Sequence, residues 1–263
     1  MYTCQAEWGR ILNASPYYAD ETVTLYHGDW RALIPECFTA DLIVADPPYG
    51  ETSLAWDRWP DGWPALAARH SRSMWCFGSM RMFLDRRDEF TNWRLSQDVV
   101  WRKHAGTGLA SDRFKRVHEH ALHWYRGLWA DVYHQAPTEL AVGPSKGRTI
   151  NRGPTRHYGK QGEKGWVDGG VRIQHSVLDH PNMHGRAINE TEKPVPLLEP
   201  LVAYACPPGG TVLDPFAGSC STLVAVRHLG QGRKAVGFEV REEQCEAAAR
   251  RLSQGVLDFG DAS

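Results

Sequence analysis

Short apolar runs alternate with amphipathic stretches along most of the chain. Residues 23–26 predict a strand that turns at Gly28-Asp29. Residues 41–45, rich in β-branched side chains, predict a second strand. It stops at Asp46-Pro47-Pro48, because prolines cannot donate to a sheet ladder. Residues 63–72 predict a helix with Pro64 in its first turn. A buried strand at 73–77 and a helix at 80–90 follow, then strands at 95–101 and 117–125. Beyond a polar middle, a helix is expected at 192–206, opened by Pro194 and Pro196. A strand at 211–213, a helix at 219–229, a strand at 234–238 and a helix at 242–252 complete the pattern. Strands alternating with helices predict an α/β fold with a mostly parallel sheet.

Composition narrows the class. The chain has 263 residues, 42% hydrophobic and 23% charged, which excludes a disordered or fibrous protein. No apolar run approaches the roughly 18–20 residues that span a bilayer, so no membrane partner is expected. The first ten residues carry Glu7 and Arg10 and no apolar core, so no secretory signal is expected. The six cysteines are scattered singly, which predicts a reduced, cytoplasmic chain without a disulfide framework. His118-Glu119-His120 and His123 lack zinc-hydrolase spacing. Alternation on a strand puts the first and third of the four on one face, with Glu119 and His123 on the other, so no metal site is expected.

The net charge of −1 changes meaning when divided by position. Residues 101–172 hold 13 Lys/Arg against 6 Asp/Glu, a local +7, and the remainder is −8. Residues 143–172 concentrate seven basic side chains, two acidic ones and eight glycines. A basic, glycine-rich segment of that length predicts a phosphate-binding loop. Lys146, Arg148, Arg152, Arg156 and Lys160 are its candidate phosphate-contacting residues.

Two strand ends carry candidate chemistry, as strand ends in open α/β sheets do. At Asp46-Pro47-Pro48-Tyr49, the Asp46 carboxylate and Pro47 carbonyl are acceptors beside a flat ring, a combination suited to a planar group with an N–H₂. At Asp214-Pro215-Phe216-Ala217-Gly218-Ser219, an apolar strand ends in an acid and a tight turn opens a helix. The next strand ends at Glu239, 25 positions after Asp214, where an acid can hold two ribose hydroxyls. No G-x-G-x-x-G cradle for a pyrophosphate is present, which points to S-adenosylmethionine rather than a dinucleotide.

Together these motifs resemble the amino-methyltransferases of DNA. The acidic motif precedes the cofactor motif, similar to the circularly permuted β group of that family. The runs 191–198, 212–216 and 234–239 resemble that group's C-terminal block, and Gly28-Asp29 and Trp56-Asp57 match as well. The resemblance implies a Rossmann-like S-adenosylmethionine-dependent sheet with helices on both faces. It implies a catalytic half at 1–126, a target-recognition insert at 127–189 and a cofactor half at 190–263. Asp46, Pro47, Pro48 and Tyr49 would act on the base. Asp29 would take the cofactor's adenine, Glu239 its ribose, and Lys193 with the turn Asp214–Ser219 its methionine part. Asp46, Cys220 and Ser221 complete the cofactor set. Cys220 stands where the family usually has a second glycine, which predicts a tighter backbone approach to the cofactor. Trp56, Trp59 and Trp63 either line the base pocket or form a packed cluster.

The implied activity is methylation of adenine N6 at a flipped base in double-stranded DNA, by a homodimer. Cytosine N4 as the target, and a DNA-binding relative with impaired catalysis, are the alternatives. Asp at the first motif position favours adenine, because cytosine-N4 members more often carry Ser there.

Overall fold

A computed structural model describes residues 14–107, 111–140, 171–182 and 192–254. The elements in chain order begin with β1 (Tyr18–Ala19), β2 (Val23–His27), α1 (Trp30–Leu33) and β3 (Leu42–Ala45). Then come α2 (Trp63–His70), β4 (Ser73–Gly78), α3 (Met80–Asp85), β5 (Arg94–Thr107) and β6 (Arg116–Tyr125). After β7 (Thr138–Leu140), β8 (Val171–Ile173) and β9 (Val177–Asp179), the chain closes with α4 (Val195–Ala205), β10 (Thr211–Asp214), α5 (Ser221–Leu229), β11 (Lys234–Glu239) and α6 (Glu242–Ser253). Two compact units result, Met1–Gln135 with Ser176–Ser263, and Ala136–His175. In the smaller unit, β7 and β8 pair antiparallel and Arg172 bridges Glu139 at 2.8 Å.

The larger unit holds a nine-stranded sheet in the order β1-β2-β11-β10-β3-β4-β6-β5-β9. The run β2-β11-β10-β3-β4 is parallel, while β6 meets both β4 and β5 antiparallel. β3, β4 and β10 are buried along their whole length, as strands covered on both faces must be. Successive residues divide between two cores. Leu42, Val44, Trp75, Phe77 and Val212 join α4, α5 and α6, while Ile43, Ala45, Met74, Cys76 and Leu213 join Trp30, Trp63, Ala67, Met82 and Phe83 from α1, α2 and α3. Helices therefore cover both faces.

The expected elements are present with shifted ends. The helix expected at 192–206 starts at Val195, because Pro194 occupies the N-cap with extended geometry. The helix expected at 80–90 ends at Asp85. Arg86 leaves helical geometry there, and a separate 3₁₀ turn, Arg87–Phe90, continues. Strands β1, β7, β8 and β9 have only two or three residues each, too few for a periodic signal.

The strand order positions the site. β10 and β11, last in the chain, insert between β2 and β3, which are among the first. From β10 the chain leaves through α5 on one face, and from β3 through α2 on the other. The boundary between β10 and β3 is thus the topological switch point, where a crevice opens beyond the carboxyl ends of the strands.

Candidate active site

Register brings three acids to that crevice. Leu213 pairs with Ile43 and Asp214 with Gly237, so Asp214 and Glu239 end two adjacent strands and Asp46 directly follows a third. All three line one cavity of about 210 Å³.

The turn after β3 is rigid for local reasons. Its prolines constrain the backbone, and Gly50 takes the left-handed conformation at φ 70°. Behind it, the buried Asp57 carboxylate accepts the amides of Gly50 (2.8 Å), Glu51 (3.0 Å) and Thr52 (2.7 Å). These bonds outweigh burial and hold the Asp57 carboxyl below the usual aspartate value. The Tyr49 hydroxyl donates to Asp46 Oδ1 at 2.8 Å, and the Lys193 ammonium meets Asp46 Oδ2 at 2.5 Å. Burial would depress the Lys193 ammonium, yet Asp46 and Glu119 overcome that and raise it above the ordinary lysine value.

The turn after β10 is held from β11. Glu239 Oε2 accepts from the Gly218 amide at 3.0 Å, and Oε1 from the Arg241 amide at 2.8 Å. Gly237 permits this approach, because a Cβ there would lie 2.9 Å from the Ala217 Cβ and from a Leu223 methyl. Asp214 Oδ1 accepts from the Phe216 amide at 3.0 Å. Burial raises its carboxyl to about 7, against the pull of Thr222 and the Phe216 amide. Gly218 and Cys220 both have positive φ, 49° and 60°. Arg251 braces the turn, donating to the Ser219 carbonyl at 3.0 Å and pairing with Glu192 at 2.9 Å.

Of the residues expected at the site, Asp46, Pro47, Pro48, Tyr49, Lys193, Asp214, Pro215, Phe216, Ala217, Gly218, Ser219, Ser221 and Glu239 line this cavity. Asp29 and Cys220 do not. Asp29 N-caps α1, accepts the Arg31 amide at 2.9 Å and pairs with the Arg31 guanidinium. Its neighbour Gly28 donates to the Glu239 carbonyl at 2.8 Å. The Cys220 thiol is fully buried in the core under α4 and α5, so it does not narrow the cavity. The tryptophans divide: Trp56 lines the cavity, with the Arg241 guanidinium 5.1 Å from its ring. Trp59 and Trp63 are core, packed with Phe90, and Trp63 meets Phe216 edge-on at 5.4 Å. Lys146, Arg148, Arg152, Arg156 and Lys160 lie outside the described residues.

The cavity also contains Glu119 and Arg241, which the motifs did not single out, and Asp57 and Glu192, which lie in matching runs without an assigned role. Glu119 had a partial signal, since alternation separated it from His118 and His120. The acceptors and donors present fit a polar cofactor with ribose and amino-acid parts. Glu239 stands at the mouth of a helix-opening turn, and Lys193, Ser219, Ser221 and Thr222 lie nearby.

A mostly parallel, doubly covered sheet with a strand-end cavity at its switch point defines a Rossmann-like fold. Residues 40–250 match the N6/N4 DNA methylase family, and the chain belongs to that family. It is 25% identical over 282 residues to the type II methyltransferase M2.LlaDCHI of Lactococcus lactis subsp. cremoris, covering 95% of this chain and 96% of that protein. It is 26% identical over 258 residues to the DNA adenine methyltransferase YhdJ of Escherichia coli (strain K12), covering 89% and 84%. In fold it resembles the M1.HpyAVI–SAM complex, with a TM-score of 0.59, 20% identity and coverage of 88% and 99%. It also resembles the cytosine-N4-specific PvuII DNA methyltransferase, with a TM-score of 0.62, 16% identity and coverage of 96% and 91%. DNA methylation is therefore the activity of the class.

Proposed function

We propose that this DNA methylase methylates adenine N6, with S-adenosylmethionine as the methyl donor and Asp46 as the acceptor for the target amine. The observation that carries this reading is the convergence of Asp46, Tyr49 and Lys193 with the Asp214 turn and Glu239 in one crevice. The Asp-Pro-Pro-Tyr sequence and the likeness to the DNA adenine methyltransferase YhdJ favour adenine.

The amino nitrogen of adenine is a poor nucleophile, because its lone pair is delocalised into the ring. Asp46 and the Pro47 carbonyl would accept its two hydrogens and localise that lone pair toward the methyl donor, an electrostatic effect rather than prior deprotonation. Tyr49 would stack on the base, a contact worth about 1–3 kcal/mol. The base must leave the duplex to reach Asp46, so flipping is part of the reading. S-adenosylmethionine supplies a methyl group made electrophilic by a positively charged sulfur. Glu239 would hold its ribose, and Lys193 with Asp214–Ser219 its methionine part. The basic residues 146–160 would grip phosphate, and a homodimer is the assembly the resemblance implies.

The test is incubation with duplex DNA and labelled S-adenosylmethionine, followed by nucleoside digestion and mass analysis. N6-methyladenine is expected, and label in N4-methylcytosine would overturn the adenine assignment. Asp46→Ala should abolish transfer and retain cofactor binding. Near-normal turnover in that variant would remove Asp46 from the mechanism.

A further inference from the structure

Asp46 must accept the target amine, yet both of its oxygens are engaged. Tyr49 holds Oδ1 at 2.8 Å, and Lys193 holds Oδ2 at 2.5 Å. The Lys193 contact is the harder to displace, being charge-assisted, with a side chain only 7% exposed. A buried ammonium left without a carboxylate is costly, so an incoming amine can displace Lys193 from Oδ2 only if Lys193 has another acceptor within reach.

Glu119 provides one. It stands on β6, and its Oε1 is paired with Lys103 from β5. Its Oε2 is buried and forms a long ion pair with Lys193 Nζ at 3.5 Å, the outer limit of a hydrogen bond. Lys193 thus sits between two carboxylates, bound to one and close to the other. The Phe77 ring, 5.2 Å from Nζ, and the Trp101 ring, 5.9 Å away, present aromatic faces to the ammonium. A shift on the order of an ångström at the tip of a flexible side chain would close the second bond as it opens the first.

The surrounding charges favour this exchange. Burial opposes ionisation of Glu119, but Lys193 and Lys103 overcome it and keep the group a carboxylate. Cys76 from β4 and Tyr49 also face this cluster, and burial holds both neutral. Asp214 lies near Asp46, and burial raises its carboxyl too.

We propose that Glu119 is a positioning residue, accepting the Lys193 ammonium when the target amine takes Oδ2 of Asp46. This rests on the reading of Asp46 as the amine acceptor. No covalent bond is made or broken, and the charge of the cluster is the same before and after.

Glu119→Gln tests it, because shape is kept and charge removed. Turnover should fall about ten- to hundredfold, the worth of one charge-assisted hydrogen bond. Affinity for S-adenosylmethionine should stay within about threefold, since the handover is made only when the target base enters. Without Glu119, Lys193 loses its proton at lower pH, and a neutral amine frees Asp46. Turnover of the Gln variant should therefore recover toward alkaline pH, which a merely structural role would not produce. Glu119→Asp, which keeps the charge, should retain most of the activity. Wild-type turnover in Glu119→Gln, a flat pH profile in a slow Gln variant, or an Asp variant as slow as the Gln one would overturn the proposal.

A second measurement needs no substitution at Glu119. The ¹⁵N resonance of the Lys193 ammonium should move on binding DNA that carries the target base, and not on binding the same DNA abasic at that position. An unmoved resonance would also overturn the handover. Turnover retained by Asp46→Asn would overturn both this inference and the reading beneath it, whereas label on cytosine N4 would remove the adenine assignment alone.

Discussion

The Tyr49 hydroxyl donates to Asp46 Oδ1 at 2.8 Å, which ties the last residue of the Asp-Pro-Pro-Tyr turn to its first. Burial, and then the Asp46 charge, push the phenol well above its ordinary value, so it remains a donor at any working pH. Tyr49→Phe keeps the ring and removes this bond. Turnover should fall about tenfold with DNA affinity preserved, the effect of one hydrogen bond on a positioned acid. Tyr49→Ala should weaken DNA binding as well, by the stacking contribution of about 1–3 kcal/mol. Steady-state kinetics on both variants separates the two roles.

Asp57 anchors the turn after β3 through three amides. Asp57→Ala should destabilise the protein by about 2–3 kcal/mol, the worth of charge-assisted bonds lost from a buried acceptor. Its folded pKa lies below the unfolded value, so its contribution is complete above the unfolded pKa and disappears as pH falls through the folded one. The gap in melting temperature between wild type and variant should therefore be wide at neutral pH and close in acid. Melting curves across that range check the sign, and a gap that widened in acid would contradict it.

Asp214 works in the opposite direction. Burial raises its carboxyl to about 7, so in the ligand-free protein the folded state holds a proton that the unfolded chain has released. Stability should fall as pH rises from the unfolded aspartate value of about 4 to the folded value. The total is on the order of a few kcal/mol. Asp214→Asn should remove this decline. Melting of the ligand-free protein on both sides of pH 7 measures it, and equal slopes in the two proteins would rule it out.

Cys220 occupies a left-handed position that suits glycine, at φ 60°, while its thiol packs in the core. Cys220→Gly should relieve about 1 kcal/mol of backbone strain and lose a similar amount of buried contact. Stability should change little. Affinity for S-adenosylmethionine should stay within about threefold, because the side chain does not line the cavity. Calorimetry decides this, and a large gain in affinity would show that the strain reaches the cofactor.

Replacing Arg148, Arg152 and Arg156 with Ala should weaken DNA binding and flatten its dependence on salt. Each lost phosphate contact lowers the slope of log affinity against log salt by about 0.9. An unchanged slope would remove these residues from the DNA interface.

The chain's local features determined the elements that present the chemistry. Apolar runs mark β3, β4, β10 and β11, and prolines or a tight turn end β3 and β10 where their acids stand. Such signals are local, since strand propensity, proline geometry and turn residues act within a few positions. The motif order likewise gave the expectation of a catalytic part followed by a cofactor part.

The tertiary structure alone decided what meets what. Asp46 and Asp214 share a crevice because β10 pairs with β3, and Lys193 reaches Asp46 across 147 positions of sequence. Glu119 belongs to that cluster only because β6 lies beside β4. Trp56 faces the cavity, while Trp59 and Trp63, a few residues on, fill the core. Asp29 ends as a helix cap. In each case the outcome depends on long-range strand pairing and on the side to which a residue turns. Both are properties of the assembled sheet, because a strand's register is chosen by its neighbours and not by its own residues.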